Sequence, residues 1–504
     1  MKKALVFLGY QDYMDLNQAL EYHMEGYEIY LVSCDLSARI CHDNFSANKA
    51  KCRFCHYIMR RKVTPLIKQY GWHYVSLSEL ITEEMKERAE STQFEYNNVK
   101  ELKSIRYKGV DIGYGAFSSF VTFTRNVMPS FNNYFKEYID LSLKCQMIET
   151  DAISQYIDKL KPDLFILFNG RTSYVKPICC LAINSGVNYI VTERLARDNV
   201  VLQNDYYNTI PHSYSSITRQ MEDNWNRAGN EKYEIGKLFF ENRRKSKPAG
   251  DKVYTKNQNE GELPNGFDKS KRNIAIFNSS EDEYCAIGKD FDDECLFENQ
   301  YTALKTIFEH YKNDNSLHFY LRIHPNLANV PYKSHMLLYD FKFDNVTIIP
   351  PQDTVSSYAL MEASEKVIVF MSTIGLESSY WGKPVIALNR TEYSDQNIVY
   401  LPKSENELFN LIDNEHLESI KQPKENWYKV AIFYMGYGCK AHNHFPTEKK
   451  YFKYLFKAKR FTYSSGFSLW GSEELQASIN LLLDVLSLRG FGTRFSKRFM
   501  KKTL

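Results

Sequence analysis

The sequence predicts an α/β chain of two Rossmann-like domains followed by a helical extension. Short apolar runs alternate with helical patterns almost throughout, as layered α/β folds require. The stretch from about 245 to 272, KSKPAGDKVYTKNQNEGELPNGFDKSKR, is polar, charged and rich in turn formers, so it divides those runs into two groups. At 504 residues the chain is several typical domains long, and two domains are the natural partition.

In order, Ala4–Leu8 reads as a strand, Leu16–His23 as a helix and Glu28–Val32 as the next strand. Tyr134, Tyr138, Leu141, Ile148, Ile153 and Ile157 recur at helical spacing between 131 and 160. Lys161–Pro162–Asp163 then punctuates the chain before a buried strand at Leu164–Phe168. A helix near Pro177–Asn184 and a strand at Asn188–Val191 complete the first half. Strand signals resume at Asn273–Phe277, His318–Ile323, Val346–Ile349, Val367–Phe370 and Val385–Leu388. From Trp427 onward the pattern is helical, interrupted by a polar aromatic loop over 441–470. The expected partition is 1–245, a linker at 246–272, a second domain at 273–410 and an extension at 411–504. Two such halves and a helical tail suggest the architecture called GT-B, with a cleft between the halves. No internal repeat of about 20–50 residues is present.

Composition narrows the function classes. The chain is 43% hydrophobic and 25% charged, which is globular rather than disordered. A net charge of +3 (64 basic minus 61 acidic residues) is too small for a nucleic-acid-binding surface over the whole protein. The 37 Tyr and 32 Phe suit a tyrosine-rich core, and also stacking on sugars or bases. No run approaches the ~20 apolar residues of a membrane span. The start imitates a signal peptide, but its apolar stretch ends at Gln11 and Asp12 without a small-residue cleavage site. A cytoplasmic protein with its ten cysteines reduced is therefore expected.

The most informative segment is FMSTIGLESSYWGKPVI, Phe370 to Ile386. A strand ends at Phe370, Ser372–Thr373–Ile374–Gly375 turns, and a helix starts near Leu376. Free backbone N–H groups and the helix dipole there would hold an anion, with the Ser372 and Thr373 hydroxyls as further donors. Glu377, one turn inside, is placed to reach a ribose hydroxyl. An ordinary strand–helix turn with a serine cap is the alternative. In FYLRIHPNL, Phe319 to Leu327, a strand delivers His324 to the carboxyl edge where open sheets bind ligands, and Pro325 fixes the chain. His324 there could hydrogen-bond or protonate a leaving phosphate. Arg322 is expected on the other face, in a structural role. Ser279, Ser280, Glu281 and Asp282 follow the first strand of the second half. They read either as donor contacts, with Asp282 placing the serines, or as a solvated helix cap.

In the first half, Asn169–Gly170–Arg171 directly follows a buried strand. Gly170 would allow close backbone approach, and Arg171 would clamp a carboxylate or phosphate. Glu193, after the next strand, is the candidate base for an acceptor hydroxyl, with Asp198 a rival. An Arg171–Glu193 ion pair is the structural alternative. Cys34, Cys41, Cys52 and Cys55 are enough for a tetrahedral zinc site, or are four reduced thiols in a loop. The terminal segment RGFGTRFSKRFMKKTL interleaves six cations with three Phe and has no acid, which suits an anionic membrane surface or a solvated tail.

His324–Pro325 with the Ser372/Thr373 turn resembles the HP and S/T motifs of bacterial sialyltransferases and capsule Kdo transferases, GT-B enzymes that use CMP-activated sugar acids. A similar R-x-HP pattern occurs in teichoic-acid glycerophosphotransferases, which use CDP-glycerol. The string ESSYWGKP looks like the ribose-binding helix of nucleotide-sugar GT-B proteins, in which the Glu holds ribose. Residues 273–400 carry most of the resemblance. The first half resembles capsular polysaccharide biosynthesis proteins through Phe168–Arg171 and Thr192–Glu193. The sialyltransferases place a D/E-D/E-G base motif in their first domain. The acidic cluster here follows the linker and precedes Tyr284 instead.

The resemblance implies a glycosyltransferase of capsule or O-antigen-type polysaccharide assembly. Its second domain would bind a nucleotide-sugar donor, CMP-linked by preference, and its first a glycan or lipid-linked acceptor. A CDP-polyol phosphotransferase, a UDP- or GDP-sugar transferase and an epimerase are the alternatives. No DxD-type metal site is convincingly placed, so no obligatory Mg²⁺ is expected. Peripheral contact with the inner membrane is expected, and nucleic acid is not.

Overall fold

The computed structural model describes residues 1–9, 14–34, 49–197, 200–250, 253–328, 330 and 333–436. Cys41, Asp198, the 441–470 loop and the basic segment 489–502 lie outside them. Two compact units result: Met1–Arg194 with Gln203–Pro211, and Leu195–Leu202 with His212–Cys439.

The first unit holds a six-stranded sheet. Its strands are β1 (Lys3–Leu8), β2 (Glu28–Ser33), β3 (His73–Ser76), β4 (Leu164–Phe168), β5 (Asn188–Arg197) and β6 (Val200–Tyr207), in the order β3-β2-β1-β4-β5-β6. Strand β1 runs parallel to both β2 and β4, with Val6 opposite Leu31 and Ile166. A central parallel strand is covered on both faces, which is why Ala4–Leu8 reads as an unbroken apolar run and is buried throughout. The long helix Asn133–Leu160 agrees with the predicted 131–160 pattern. The helices Lys49–Tyr70, Glu83–Ser91 and Ile112–Thr124 and strands β3 and β6 were not anticipated.

The second unit holds a five-stranded parallel sheet: β7 (Arg272–Phe277), β8 (Leu317–Arg322), β9 (Val346–Ile349), β10 (Lys366–Val369) and β11 (Val385–Ala387), in the order β11-β10-β7-β8-β9. Its winding repeats that of β1 to β5. The first strand lies mid-sheet, the next two extend to one side, and the fourth crosses to the other. Each unit is therefore Rossmann-like, as the sequence predicts.

The boundary between the halves lies elsewhere than expected. Helices Tyr214–Arg227 and Lys232–Arg244, assigned by the sequence to the first domain, pack in the second unit. Their Ile217, Met221, Trp225, Phe239 and Phe240 share one core with Ala275, Phe277, Tyr320 and Val367. Helix Lys424–Tyr434, expected in the extension, adds Trp427, Val430 and Ala431 to that core. The stretch 246–272 is no free linker either. Ala249 is fully buried, and Phe267 stacks on Tyr320 with ring centroids 4.9 Å apart. Polar composition marks which side chains meet water; the few apolar residues of the stretch are enough to fasten its backbone. Among the described residues no helix is long and apolar enough to cross a membrane.

Candidate functional site

In a sheet wound this way, the crevice opens where the first and fourth strands diverge, beyond their carboxyl ends. In the second unit that point lies between β7 and β10. A pocket of about 560 Å³, its open mouth included, occupies it. The ends of three strands line it: Phe277 and Asn278 after β7, Arg322, His324 and Pro325 at β8, and Ser372, Thr373 and Ile374 after β10. Glu377 and Arg243 complete its inner wall. Five residues predicted as donor contacts, His324, Pro325, Ser372, Thr373 and Glu377, thus converge from segments nearly fifty residues apart.

His324 is held by its own turn. Its backbone N–H donates to Asn278 Oδ1 at 2.7 Å, and its Nδ1 accepts the Asn326 N–H at 3.2 Å, capping the 3-10 turn Pro325–Leu327. That second bond requires Nδ1 to be unprotonated, so the ring proton sits on Nε2. Tyr254, from the supposed linker, packs edge-on to the ring at 5.1 Å and donates to Asn326 Oδ1 at 2.8 Å.

Ser372 precedes the helix Thr373–Tyr380, and its hydroxyl makes no capping bond. The Tyr393 hydroxyl donates to the Ser372 carbonyl at 2.7 Å and fixes the turn. Gly375 serves packing rather than a ligand, because a Cβ there would collide with the Tyr393 hydroxyl and Val369.

Glu377 also has structural partners that its expected role did not include. It is 3% exposed, with Oε1 accepting from Arg243 Nε at 2.9 Å and Oε2 accepting from the Tyr358 hydroxyl. Burial first, and then the Glu377 charge, push the Tyr358 hydroxyl pKa up. A carboxylate so engaged holds the wall of the pocket that it lines, with acceptor capacity left on both oxygens. Arg243 also donates to Thr373 Oγ1 at 3.2 Å and to the Ala249 carbonyl at 3.3 Å, tying the anion turn to the chain after its own helix. Sequence reasoning missed Arg243 because it lies 134 residues from Glu377, in a helix assigned to the other half.

Arg322 is the second residue missed, and its signal was legible. A strand has period two, so residues 322 and 324 share a face rather than opposing one another. Arg322 is 3% exposed, lines the same pocket as His324, and donates through Nη2 to the Asp353 carbonyl at 2.9 Å. Its Nε and Nη1 are buried with no hydrogen-bond partner among the described residues. Burial pushes its pKa down, opposed by the charge of Asp353.

The acidic cluster after β7 is not among the residues lining the pocket. Ser279 Oγ accepts the Met371 N–H at 3.0 Å, and Glu281 Oε1 accepts the Gln300 N–H at 3.0 Å. Ser280 is buried, and Asp282 sits in the 3-10 turn Glu281–Glu283. These bonds brace the β10 turn and the start of helix Gln300–Tyr311; the serines are buried rather than solvated, and the Ser280 side chain makes no capping bond to the turn after it.

In the first unit, Glu193 Oε2 accepts from Asn169 Nδ2 at 2.5 Å, and Asn169 Oδ1 accepts the Arg171 N–H at 3.1 Å. Arg171 Nη2 reaches Thr122 Oγ1 at 3.4 Å. Asn169, Arg171 and Glu193 do gather, but through Asn169. Gly170 has φ +76°, and a Cβ would stand 2.7 Å from Cys179 Sγ, so the glycine is required by packing rather than by a ligand. Among the described residues no group of three or more His, Cys, Asp or Glu comes together as a metal site. Cys34, Cys52 and Cys55 are described but Cys41 is not, so the four-cysteine zinc site stays an expectation from sequence.

No family model matches the chain, and no curated protein matches it. Among solved structures, a KpsC β-Kdo 2,4-transferase of Thermosulfurimonas dismutans is similar over 54% of this chain and 79% of its own, at 14% identity and TM-score 0.34. A putative UDP-N-acetylglucosamine 2-epimerase of Listeria monocytogenes is similar over 93% and 97%, at 12% identity and TM-score 0.25. A Methanocaldococcus jannaschii UDP-GlcNAc 2-epimerase, in complex with UDP-GlcNAc and UDP, is similar over 86% and 99%, at 11% identity and TM-score 0.26. Likenesses at these scores decide nothing about the chemistry of this chain.

Proposed function

We propose that the chain is a nucleotide-sugar-dependent glycosyltransferase of bacterial surface-polysaccharide assembly, with its donor site in the second unit. One observation carries this reading: the His324–Pro325 turn and the Ser372–Thr373 helix start line a single pocket at the switch point of a parallel sheet. In the proposed reaction an acceptor hydroxyl, on a glycan or lipid-linked chain, attacks the anomeric carbon. The bond from that carbon to the nucleotide phosphate breaks, and the phosphate oxygen keeps the electron pair. His324 and the amides of helix Thr373–Tyr380 would stabilise the negative charge developing there. Glu193 is the proposed acceptor of the hydroxyl proton.

A cytidine donor, CMP-linked, is favoured by the HP resemblance, and no obligatory Mg²⁺ is proposed. Full activity in excess chelator is the expected result, and complete loss would refute metal independence. A thermal-shift screen with CMP, CDP, UDP and GDP tests the donor. Stabilisation by CMP or CDP supports the cytidine reading, a response to UDP or GDP alone redirects it, and silence from all four refutes a nucleotide site. Product analysis separates sugar transfer from polyol-phosphate transfer, since only the latter leaves a new phosphodiester. The segment 489–502 is proposed to hold the enzyme peripherally at an anionic bilayer, each cation contributing about 1 kcal/mol before screening. Deleting it is expected to weaken co-sedimentation with anionic vesicles at low salt while sparing transfer to a soluble acceptor.

A further inference from the structure

We propose that Arg322 and Asn278 form an oxyanion site for a phosphate group. Assigning that phosphate to an activated sugar rests on the donor reading above. Both residues line the pocket, and both are more than nine-tenths buried, at 3% and 1% exposure. Among the described residues Arg322 spends Nη2 on the Asp353 carbonyl, its Nε and Nη1 have no partner, and the same limit holds for Asn278. Asn278 spends only Oδ1, on the His324 N–H, and its Nδ2 has none. An unmatched buried donor is costly, and a guanidinium cannot escape by losing its proton. A ligand bearing acceptor oxygens removes that cost at both residues at once.

The rest of the pocket says which oxyanion. Arg243, the other buried arginine there, is already paired with Glu377, whereas Arg322 feels the charge of Asp353 but makes no ion pair among the described residues. The N-terminus of helix Thr373–Tyr380 and the uncapped Ser372 hydroxyl enter the same space. Donors thus arrive from the ends of β7, β8 and β10 rather than in one plane. The several oxygens of a tetrahedral phosphate can meet them, where a planar carboxylate would leave some unmatched.

Titration calorimetry with CMP, UDP, cytidine, uridine and inorganic phosphate tests the site. Arg322→Gln is expected to weaken binding of phosphate-bearing ligands by about 10²-fold and to leave the bare nucleosides unchanged. Arg322→Lys should retain part of the affinity. Asn278→Asp keeps the oxygen that holds His324 and presents a carboxylate to Arg322. It should weaken the same ligands without lowering the melting temperature, and it keeps the test open if Arg322→Gln does not fold. Unchanged nucleotide affinity in a folded variant, or equal loss for nucleosides, overturns the site while the donor reading stands. Phosphate binding that Arg322→Gln abolishes, in a protein that takes no nucleotide, supports the site and sinks the donor reading. No binding of any of the five ligands by the unaltered protein overturns both.

Discussion

The two sheets wind alike, yet the residue that follows the first strand differs: Asn278 after β7 lines a pocket, whereas Gly9 after β1 packs against the Tyr174 ring. In the first unit, Gly9 follows β1 and Tyr174 comes from the turn after β4. A Cβ on Gly9 would lie 2.6 Å from the Tyr174 hydroxyl oxygen, so the ring already occupies that space. In the second unit, Asn278 stands where Gly9 stands, and it faces an open pocket that it shares with Arg322 and His324. Topology supplies the opening, and the residues at the strand ends decide whether a ligand can use it.

Buried ionisable groups differ between the units in the same instructive way. Glu149, in helix Asn133–Leu160, is 2% exposed, and neither carboxyl oxygen has a hydrogen-bond partner among the described residues. Burial pushes its pKa well up, so it stays neutral by keeping its proton. Arg322 has no such recourse. An unpaired buried acid can be a structural accident that titration repairs, whereas an unpaired buried arginine in a pocket points to an absent anion.

The comparison can be broken most directly at His324. His324→Ala is expected to lower turnover on the order of 10²–10³-fold, because it removes a donor to the departing phosphate. Near-normal steady-state rates in a folded variant would make it a capping residue of the Pro325–Leu327 turn. Next in size is Glu377→Ala, which leaves Arg243 buried without its partner. A loss of about 3–5 kcal/mol in denaturant unfolding is expected. If nucleotide affinity fell with no change in stability, Glu377 would be a ribose ligand after all.

Gly9→Ala sharpens the contrast from the other side. Overpacking against Tyr174 should cost about 1–3 kcal/mol, and pairing it with Tyr174→Phe should recover part of that. An unchanged unfolding midpoint would mean that the space beside Gly9 is roomier than the structure has it. The smallest effect concerns Glu149. Above the ordinary carboxylate value the unfolded chain releases this proton, and below the raised folded value the native chain retains it. Stability therefore falls as pH rises through that window. Glu149→Gln should flatten the pH dependence of the melting temperature above the ordinary carboxylate range and raise the melting temperature at the alkaline end of it. Parallel pH curves for the two proteins would show that the carboxyl is solvated.

Much of this was legible from residue order. Strands such as Ala4–Leu8 and Leu164–Phe168 announce themselves because both faces are buried, and the helix at Asn133–Leu160 because one face is. His324, Ser372 and Thr373 were legible for a related reason: residues that end a buried strand must emerge at the sheet's edge. Arg322 was equally readable from the period of the strand. Local composition failed at 214–272, where polarity concealed the anchors Trp225, Phe239, Ala249 and Phe267.

The sequence by itself determined two α/β halves and several of the strand ends at which ligands are met, because hydrophobic period and turn chemistry are local properties. Only the tertiary structure decided that Glu377 is bound to Arg243 and Tyr358, that Ser279 and Glu281 brace backbone, and that Tyr174 packs against Gly9. Those outcomes depend on which distant groups compete for the same hydrogen bond or the same space, and a partner more than a hundred residues away leaves no trace in local spacing.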